Sequence, residues 1–345
     1  LTAGTYSVFS VTLNGCTSTS ATIIVLADPN PPTVNDPADQ TLCANTATAA
    51  VNFTGTAGAT FNWTNNTISI GLGASGVGNI PSFVATNATT APVVATITVT
   101  PTLAGCIGTA QTFTITVNPI PTVTDPADQS LCANSATTAV NFTGSIVGTT
   151  FNWTNNNATI GLGALGVGNI PSFTALNAVP GTTAVATITV TPTINGCPGT
   201  PQTFTISVVN TLPSLTCPGN LTAICSITEQ PAYANFAAFT GAGGSASSVG
   251  GVIQPATFTL VSEVSNGLTC PETVTRTYSI QDNCGSTATC TQTITVDDNI
   301  NPTGTAPANV TVQCIANVPV SNVALITDEA DNCAPPTVTF IGDVS

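Results

Sequence analysis

The groups in this sequence with chemistry to offer are twelve cysteines and fifteen carboxylates. The chain has no His, no Lys and no Met, and a single Arg, Arg276. A serine or cysteine nucleophile needs an activating base beside it, and neither His nor Lys is there to serve. Paired carboxylates can hydrolyse glycosides. Most acids here, however, sit in short strings such as Asp36-Pro37-Ala38-Asp39-Gln40, which read as solvated turns. The chain is therefore expected not to be an enzyme. Zinc sites need clustered Cys and His, and no two cysteines here have C-x-x-C spacing. Structural disulfides formed in an oxidising compartment account for the cysteines better.

Two acidic strings stand apart from the solvated turns. Asp297-Asp298-Asn299 lies in a linker, and Asp328, Glu329, Asp331 and Asn332 follow about 30 residues later. In a β-sandwich the linker enters at the pole where the loop between the second and third strands emerges, so the two strings are expected to meet. Hard oxygen ligands of this kind suit Ca²⁺, with Asp297, Asp298, Asp328 and Asp331 as the candidate ligands. Solvated turns beside a proline-stiffened linker are the other reading of the same residues. The strings Gly71 to Gly76 and Gly161 to Gly166 match G-x-G-x-x-G. A nucleotide loop needs that string to open a helix; here it runs into Gly-Asn-Ile-Pro, and a glycine loop between strands is expected instead. Nine Asn-x-Ser/Thr triplets, among them those at Asn52 and Asn62, are what a chain rich in Asn and Thr produces by chance.

Composition narrows the partners. The net charge is −14. Nucleic-acid binding rests on Lys and Arg neutralising phosphates, and an anionic membrane surface repels such a chain. Neither nucleic acid nor membrane insertion is expected. Only 5% of residues are charged while 42% are hydrophobic, so the polarity comes from Thr, Ser, Asn and Gly, and the chain has enough apolar residues to bury a core. The sequence has no initiating Met and no signal peptide, and is expected to be an internal or processed segment of an exported protein.

A repeat organises the chain. Pro32 to Asn66 reads PTVNDPADQTLCANTATAAVNFTGTAGATFNWTNN, and Pro121 to Asn156 repeats it almost residue for residue. Cys43 recurs as Cys132, Trp63 as Trp153 and Cys106 as Cys197. A period of about 90 residues suits a seven-stranded sandwich. In Thr96 to Thr100 and Thr112 to Val117 apolar residues alternate with Thr, which places Ile97, Val99, Phe113, Ile115 and Val117 on one face of a strand pair. Strands are also expected over 50–54, 60–64 and around Phe83, and no amphipathic helix is evident. The fold class expected is all-β: tandem Ig-like antiparallel sandwich modules in a linear array. The boundaries expected are a C-terminal remnant of a module over 1–27, repeats over 28–119 and 120–210, a different sandwich over 211–299, and the start of a second copy of it over 300–345.

The strings NFTGT, TFNWTNN, GNIPSF and TITVTPT resemble the PKD-like Ig-type repeats of very large secreted proteins of Bacteroidota. TCPGNLT, RTYSIQDNCG and TCTQTITVDD resemble hyalin-repeat modules, which often accompany them. The resemblance implies a cell-surface adhesin or stalk exported by the type IX route, of the kind that includes gliding-motility adhesins. Its partners would be other modules of the same long chain and extracellular surfaces or polysaccharide. The alternative is a carbohydrate-binding accessory region of a secreted polysaccharide-degrading enzyme. Sugar sites usually display exposed aromatics, and the low aromatic content favours the stalk.

Each repeat holds one pair of cysteines at nearly equal spacing. The expectation is therefore one bond within each: Cys43 with Cys106, and Cys132 with Cys197. A staggered bond between Cys106 and Cys132 is the rival. In the third unit Cys217 is expected with Cys290 and Cys225 with Cys284, leaving Cys270 over. The partner of Cys16 is expected upstream.

Overall fold

The computed structural model describes residues 4–6, 10–19, 23–25 and 30–342. The protein is all-β, built as tandem Ig-like sandwich modules. At the start, β1 (Gly4–Tyr6) pairs with β4 (Ile23–Val25), and β2 (Ser10–Leu13) forms a hairpin with β3 (Cys16–Thr19).

The first complete module holds β5 (Gln40–Cys43), β6 (Thr60–Asn65), β7 (Ser75–Val77), β8 (Val93–Leu103), β9 (Cys106–Ile107) and β10 (Gln111–Asn118), in the sheet order β5-β10-β8-β6-β7 with β9 on β8. The second repeats it as β11 (Gln129–Cys132), β12 (Thr150–Asn155), β13 (Leu165–Val167), β14 (Thr182–Ile194), β15 (Cys197–Pro198) and β16 (Gln202–Asn210). Alternation sets the faces: Ala95, Ile97, Val99, Phe113, Ile115 and Val117 are fully buried, while the intervening Thr residues reach solvent. The opposite layer is less regular. Residues 44–53 run antiparallel to 80–85 through single bridges such as Val51 to Ile80, so no continuous strand forms over 50–54 or around Phe83. Trp63 and Trp153 are buried in the two cores.

The G-x-G-x-x-G strings serve these tryptophans. After a single 3₁₀ turn, Gly76 on β7 lies flat against the indole of Trp63, where an added Cβ would come within 2.2 Å of the ring; Gly166 does the same for Trp153. No helix follows either string.

The third module carries β17 (Leu212–Thr216), β18 (Leu221–Ala223), β19 (Ser245–Val249), β20 (Ile253–Ser265), β21 (Glu272–Asp282) and β22 (Thr287–Val296). β17 pairs with β19, and the other sheet runs β18-β22-β21-β20. Its core gathers Leu215, Phe239, Tyr278 and Ile280. Phe239 sits on a helix that the sequence did not signal, α1 (Phe236–Gly241), capped by the Asn235 side chain. Six residues are too few to display a helical period. Arg276, on β21, is buried, and its Nε donates to Glu263 on β20 at 2.6 Å. Beyond β22 the chain to residue 342 is mostly exposed, with a bridge between Thr303 and Ala330. Among the described residues no helix is long and apolar enough to cross a membrane.

Candidate functional site at the module poles

Each sandwich has a leading pole, where its linker arrives, and a trailing pole, where its last strand leaves. The short first strand runs parallel to the last. β5 lies along β10 with Cys43 opposite Asn118, and β11 along β16 with Cys132 opposite Val209. In the third module β18 lies along β22, with Ala223 opposite Val296, two residues before Cys225. Cys43, Cys132 and Cys225 therefore all stand at trailing poles.

A second set of cysteines stands at leading poles. Cys106 and Cys197 each follow a two-residue hairpin turn, Ala104-Gly105 and Asn195-Gly196, in which both residues have positive φ. That is the geometry of a tight hairpin whose twist matches its strands. Asn14-Gly15 before Cys16 has the same signature. Two residues past the cysteine, Gly108 lies against the arriving linker, where a Cβ would meet the Pro32 carbonyl oxygen at 1.7 Å; Gly199 makes the same approach to Pro121. Cys284 occupies the leading-pole turn between β21 and β22. Asp282 holds that turn: its carboxylate accepts from the amides of Cys284 and Ser286 and from the Ser248 hydroxyl. Burial pushes the Asp282 carboxyl up, and the hydrogen bonds it accepts, those of Ser248, Cys284 and Ser286 among them, outweigh it, leaving it below the usual range.

The two sets join across the junctions. Cys43 is bonded to Cys197, Cys132 to Cys284 and Cys225 to Cys333, with Cα separations of 5.6, 5.6 and 4.8 Å. The first two bonds tie the trailing pole of one module to the leading pole of the next, and the third ties the trailing pole of the third module to the segment that follows it. Cys217 is bonded to Cys290 inside the third module. These partners correct the expected Cys43–Cys106, Cys132–Cys197 and Cys225–Cys284 pairs. A strand of eight residues, such as β10, separates the poles by roughly 25 Å, whereas disulfide Cα atoms must lie within about 7 Å. The rival Cys106–Cys132 fails too, because those residues stand at the outer poles of two successive modules. Cys106, Cys16, Cys270 and Cys314 are free and exposed.

The junctions are also packed. At the second, Thr211 is buried and donates to Ser286, and Val209 touches the position of Gly250. Glu229 organises the third: it accepts from the amides of Ile224, Cys225 and Ser226, and these bonds, led by that of Ile224, lower its pKa. Asp39 and Asp128, read from sequence as solvated turns, pin the first strands. Each accepts from a backbone amide of the last strand, that of Thr114 or Thr205, at 2.6 Å, and that bond lowers its pKa.

The acidic strings meet in part. Asp298 and Asp331 converge beside Cys333, with ligand atoms within 4.8 Å of one another. Cys333 is in a disulfide, so its sulfur is no thiolate ligand. Asp331 Oδ2 accepts from the Cys333 amide, while Asp331 Oδ1 and Glu329 Oε2 are buried without a hydrogen-bond partner. Asp328 turns away to the Thr305 amide, and Asp297 accepts from the Cys270 thiol at 3.5 Å. Of the four acids named from sequence, two face a common point.

No protein-family model matches this chain, and no curated protein matches it. Among solved structures it is similar to Sidekick-1 immunoglobulin domains 1-4, at 12% identity and a TM-score of 0.27, over 86% of this chain and 83% of that one. It is similar to Drosophila N-cadherin EC1-4, at 11% identity and a TM-score of 0.29, over 85% and 82%. It is also similar to mouse cadherin-23 EC22-24, at 10% identity and a TM-score of 0.33, over 78% of this chain and 99% of that one.

Proposed function

We propose that this chain is a stalk segment of an extracellular cell-surface adhesin, non-catalytic and built to transmit tension between modules. The observation that carries this reading is the run of three bonds that each cross from a trailing pole into the next part of the chain, two of them landing on the leading pole of the next sandwich. A linker alone is a swivel. A linker plus a disulfide fixes two points of each junction and removes that freedom. The bonds also shorten the covalent path. Followed from the start, the chain reaches Cys43, crosses to Cys197, runs to Cys225 and crosses to Cys333. Residues 44–196 and 226–332, which hold most of each core, hang as closed loops beside that path. Pulling on the ends strains the bonds and the extended strands before it can unravel a core.

The sequence resemblance extends the reading to a giant bacterial adhesin of the type IX route, serving surface attachment or gliding. Within it, Asp298 and Asp331 are the candidate Ca²⁺ ligands at the last junction; the buried, unpartnered Oδ1 of Asp331 supports this assignment.

Single-molecule stretching tests the stalk. Under oxidising conditions the chain should extend to about a quarter of the contour length of its 345 residues, since the bonds bypass the rest. Reduced, it should extend fully, with separate unfolding steps for the two 90-residue repeats. Full extension without reduction sinks the proposal.

A further inference from the structure

The bonds sort into two tracks. One runs through Cys43, Cys197, Cys225 and Cys333. The other contains Cys132 and Cys284. Traced backwards from Cys132 along β11, the linker and β10, the second track arrives at Cys106, a leading-pole cysteine. Traced forwards from Cys284 along β22 and the next linker, it arrives at Cys314, which stands in TVQC where Cys225 stands in TAIC. Both residues are free and exposed.

Cys106 is no isolated thiol. Its counterparts Cys197 and Cys284 hold the same place at the leading poles of the next two modules, and both are bonded to the preceding module. Its surroundings match those of Cys197, including the tight turn, the pairing of β9 with β8 and the approach of Gly108 to Pro32. What differs is the cover. Cys197 is 1% exposed beneath its neighbour, whereas Cys106 is exposed and Ile107 beside it is 71% exposed. The hairpin that carries Cys16 repeats the leading-pole signature once more, ahead of this module.

Resting on the stalk reading, we propose that Cys106 and Cys314 are the open ends of a second covalent track. Cys106 bonds a trailing-pole cysteine, of the type of Cys43 and Cys132, in the module to which Cys16 belongs. The separations of 154 and 152 residues in the equivalent bonds place that cysteine N-terminal to Leu1. Cys314 bonds a leading-pole cysteine of the module that follows. Each bond forms by thiol–disulfide exchange. The two thiols lose two protons and two electrons to the disulfide of an oxidoreductase, which leaves as the dithiol. Two interleaved tracks then run side by side through every module, and breaking one bond leaves the other continuous.

The test is peptide mapping of the full-length protein from its natural source. Free thiols are alkylated first, and the protein is then denatured and digested with pepsin without reduction, because cutting at Asp alone would leave Cys43 and Cys106 on one peptide. The Cys106 peptide should be joined to a cysteine N-terminal to Leu1, and the Cys314 peptide to one C-terminal to Ser345. In a full-length Cys106→Ser variant, the upstream partner should gain one alkyl label. Alkylated Cys106 or Cys314, or a bond from either to Cys16 or Cys270, overturns the second track. If Cys43–Cys197 is intact in that same digest, the stalk reading stands while this inference falls; if it is missing, both fall.

Discussion

Cys43 lies directly opposite Asn118, the last residue of the strand by which its module ends, and the Asn118 carbonyl accepts from the amide of Ala44. The first strand thus delivers its cysteine to the junction and away from its own hairpin. Because the bond joins two modules and neither cysteine belongs to either core cluster, Cys43→Ser should act on the junction more than on the module. We expect both repeats to keep their melting transitions to within about 1 kcal/mol. Limited proteolysis at Asn118 to Pro121, and alkylation of Cys197, should rise sharply. A collapse of both repeats in the variant would show that the bond supports the cores.

Gly76 is the next residue to test. A methyl group there would meet Trp63 at 2.2 Å, and overpacking of a filled core costs about 1–3 kcal/mol. Gly76→Ala should lower the melting point of the first repeat and red-shift one of the two tryptophans, leaving Trp153 unchanged. Ala at Gly73, which has open space around its Cβ position, is the control and should melt as the parent does.

Much of this was legible in the sequence, and the limits have physical causes. The alternating Thr strands, the repeat and the two buried tryptophans follow from periodicity, which reports local faces. The disulfide partners depend on which pole a residue reaches, and that is decided by the parallel pairing of first and last strands, a contact some 75 residues apart in sequence. A sign was present: Asp39 and Asp128 sit just before the repeated Gln-x-Leu-Cys strand, and each anchors it to the last strand through Thr114 or Thr205. Asp328 lies only three residues before Asp331 in sequence, yet its carboxylate accepts from the Thr305 amide, across the bridge between Thr303 and Ala330.

Asp282 should be the most costly acid to remove. It is 3% exposed and receives the hydrogen bonds that shape the Cys284 turn. Hydrogen bonds to a charged group are worth more than neutral ones, so Asp282→Ala should cost about 3 kcal/mol. Asp282→Asn should restore part of it. Both should slow formation of the Cys132–Cys284 bond during oxidative refolding, read by alkylation of Cys132. An unchanged bonding rate would mean that the turn forms without its carboxylate.

The pH profile follows from the same contacts. Asp39, Asp128, Asp282, Asp328 and Glu229 all have carboxyls held below their ordinary values, 3.8 for Asp and 4.5 for Glu, by donated hydrogen bonds. A carboxyl depressed in the folded state stabilises above its unfolded value, and that contribution is lost as pH falls through the folded one. The chain has no His. Melting points should be nearly flat between about pH 8 and about pH 5, then fall as the solution passes the ordinary carboxylate values. A transition near neutrality would contradict this assignment.

Calcium should act at the last junction. Asp298 and Asp331 converge, and Asp331 Oδ1 is shut away from water without a donor. Like charges a few ångströms apart repel, and a divalent cation reverses that sign. Two carboxylates plus backbone oxygens and water can fill the six to eight positions that Ca²⁺ takes. A ligand bound only by the folded state at about a hundred times its dissociation constant adds about 2.7 kcal/mol. Millimolar CaCl₂ should therefore raise the melting point of the region after Asp297 and reduce backbone hydrogen exchange at Thr303 and Ala330, which bridge the linker to the acidic loop. Asp331→Asn should remove both effects, and the junction joined by Cys43 and Cys197 should respond to neither ion nor chelator. If the parent chain shows no calcium-dependent protection at Thr303 and Ala330, these acids are solvated and the last junction is held by the Cys225–Cys333 bond and its linker alone.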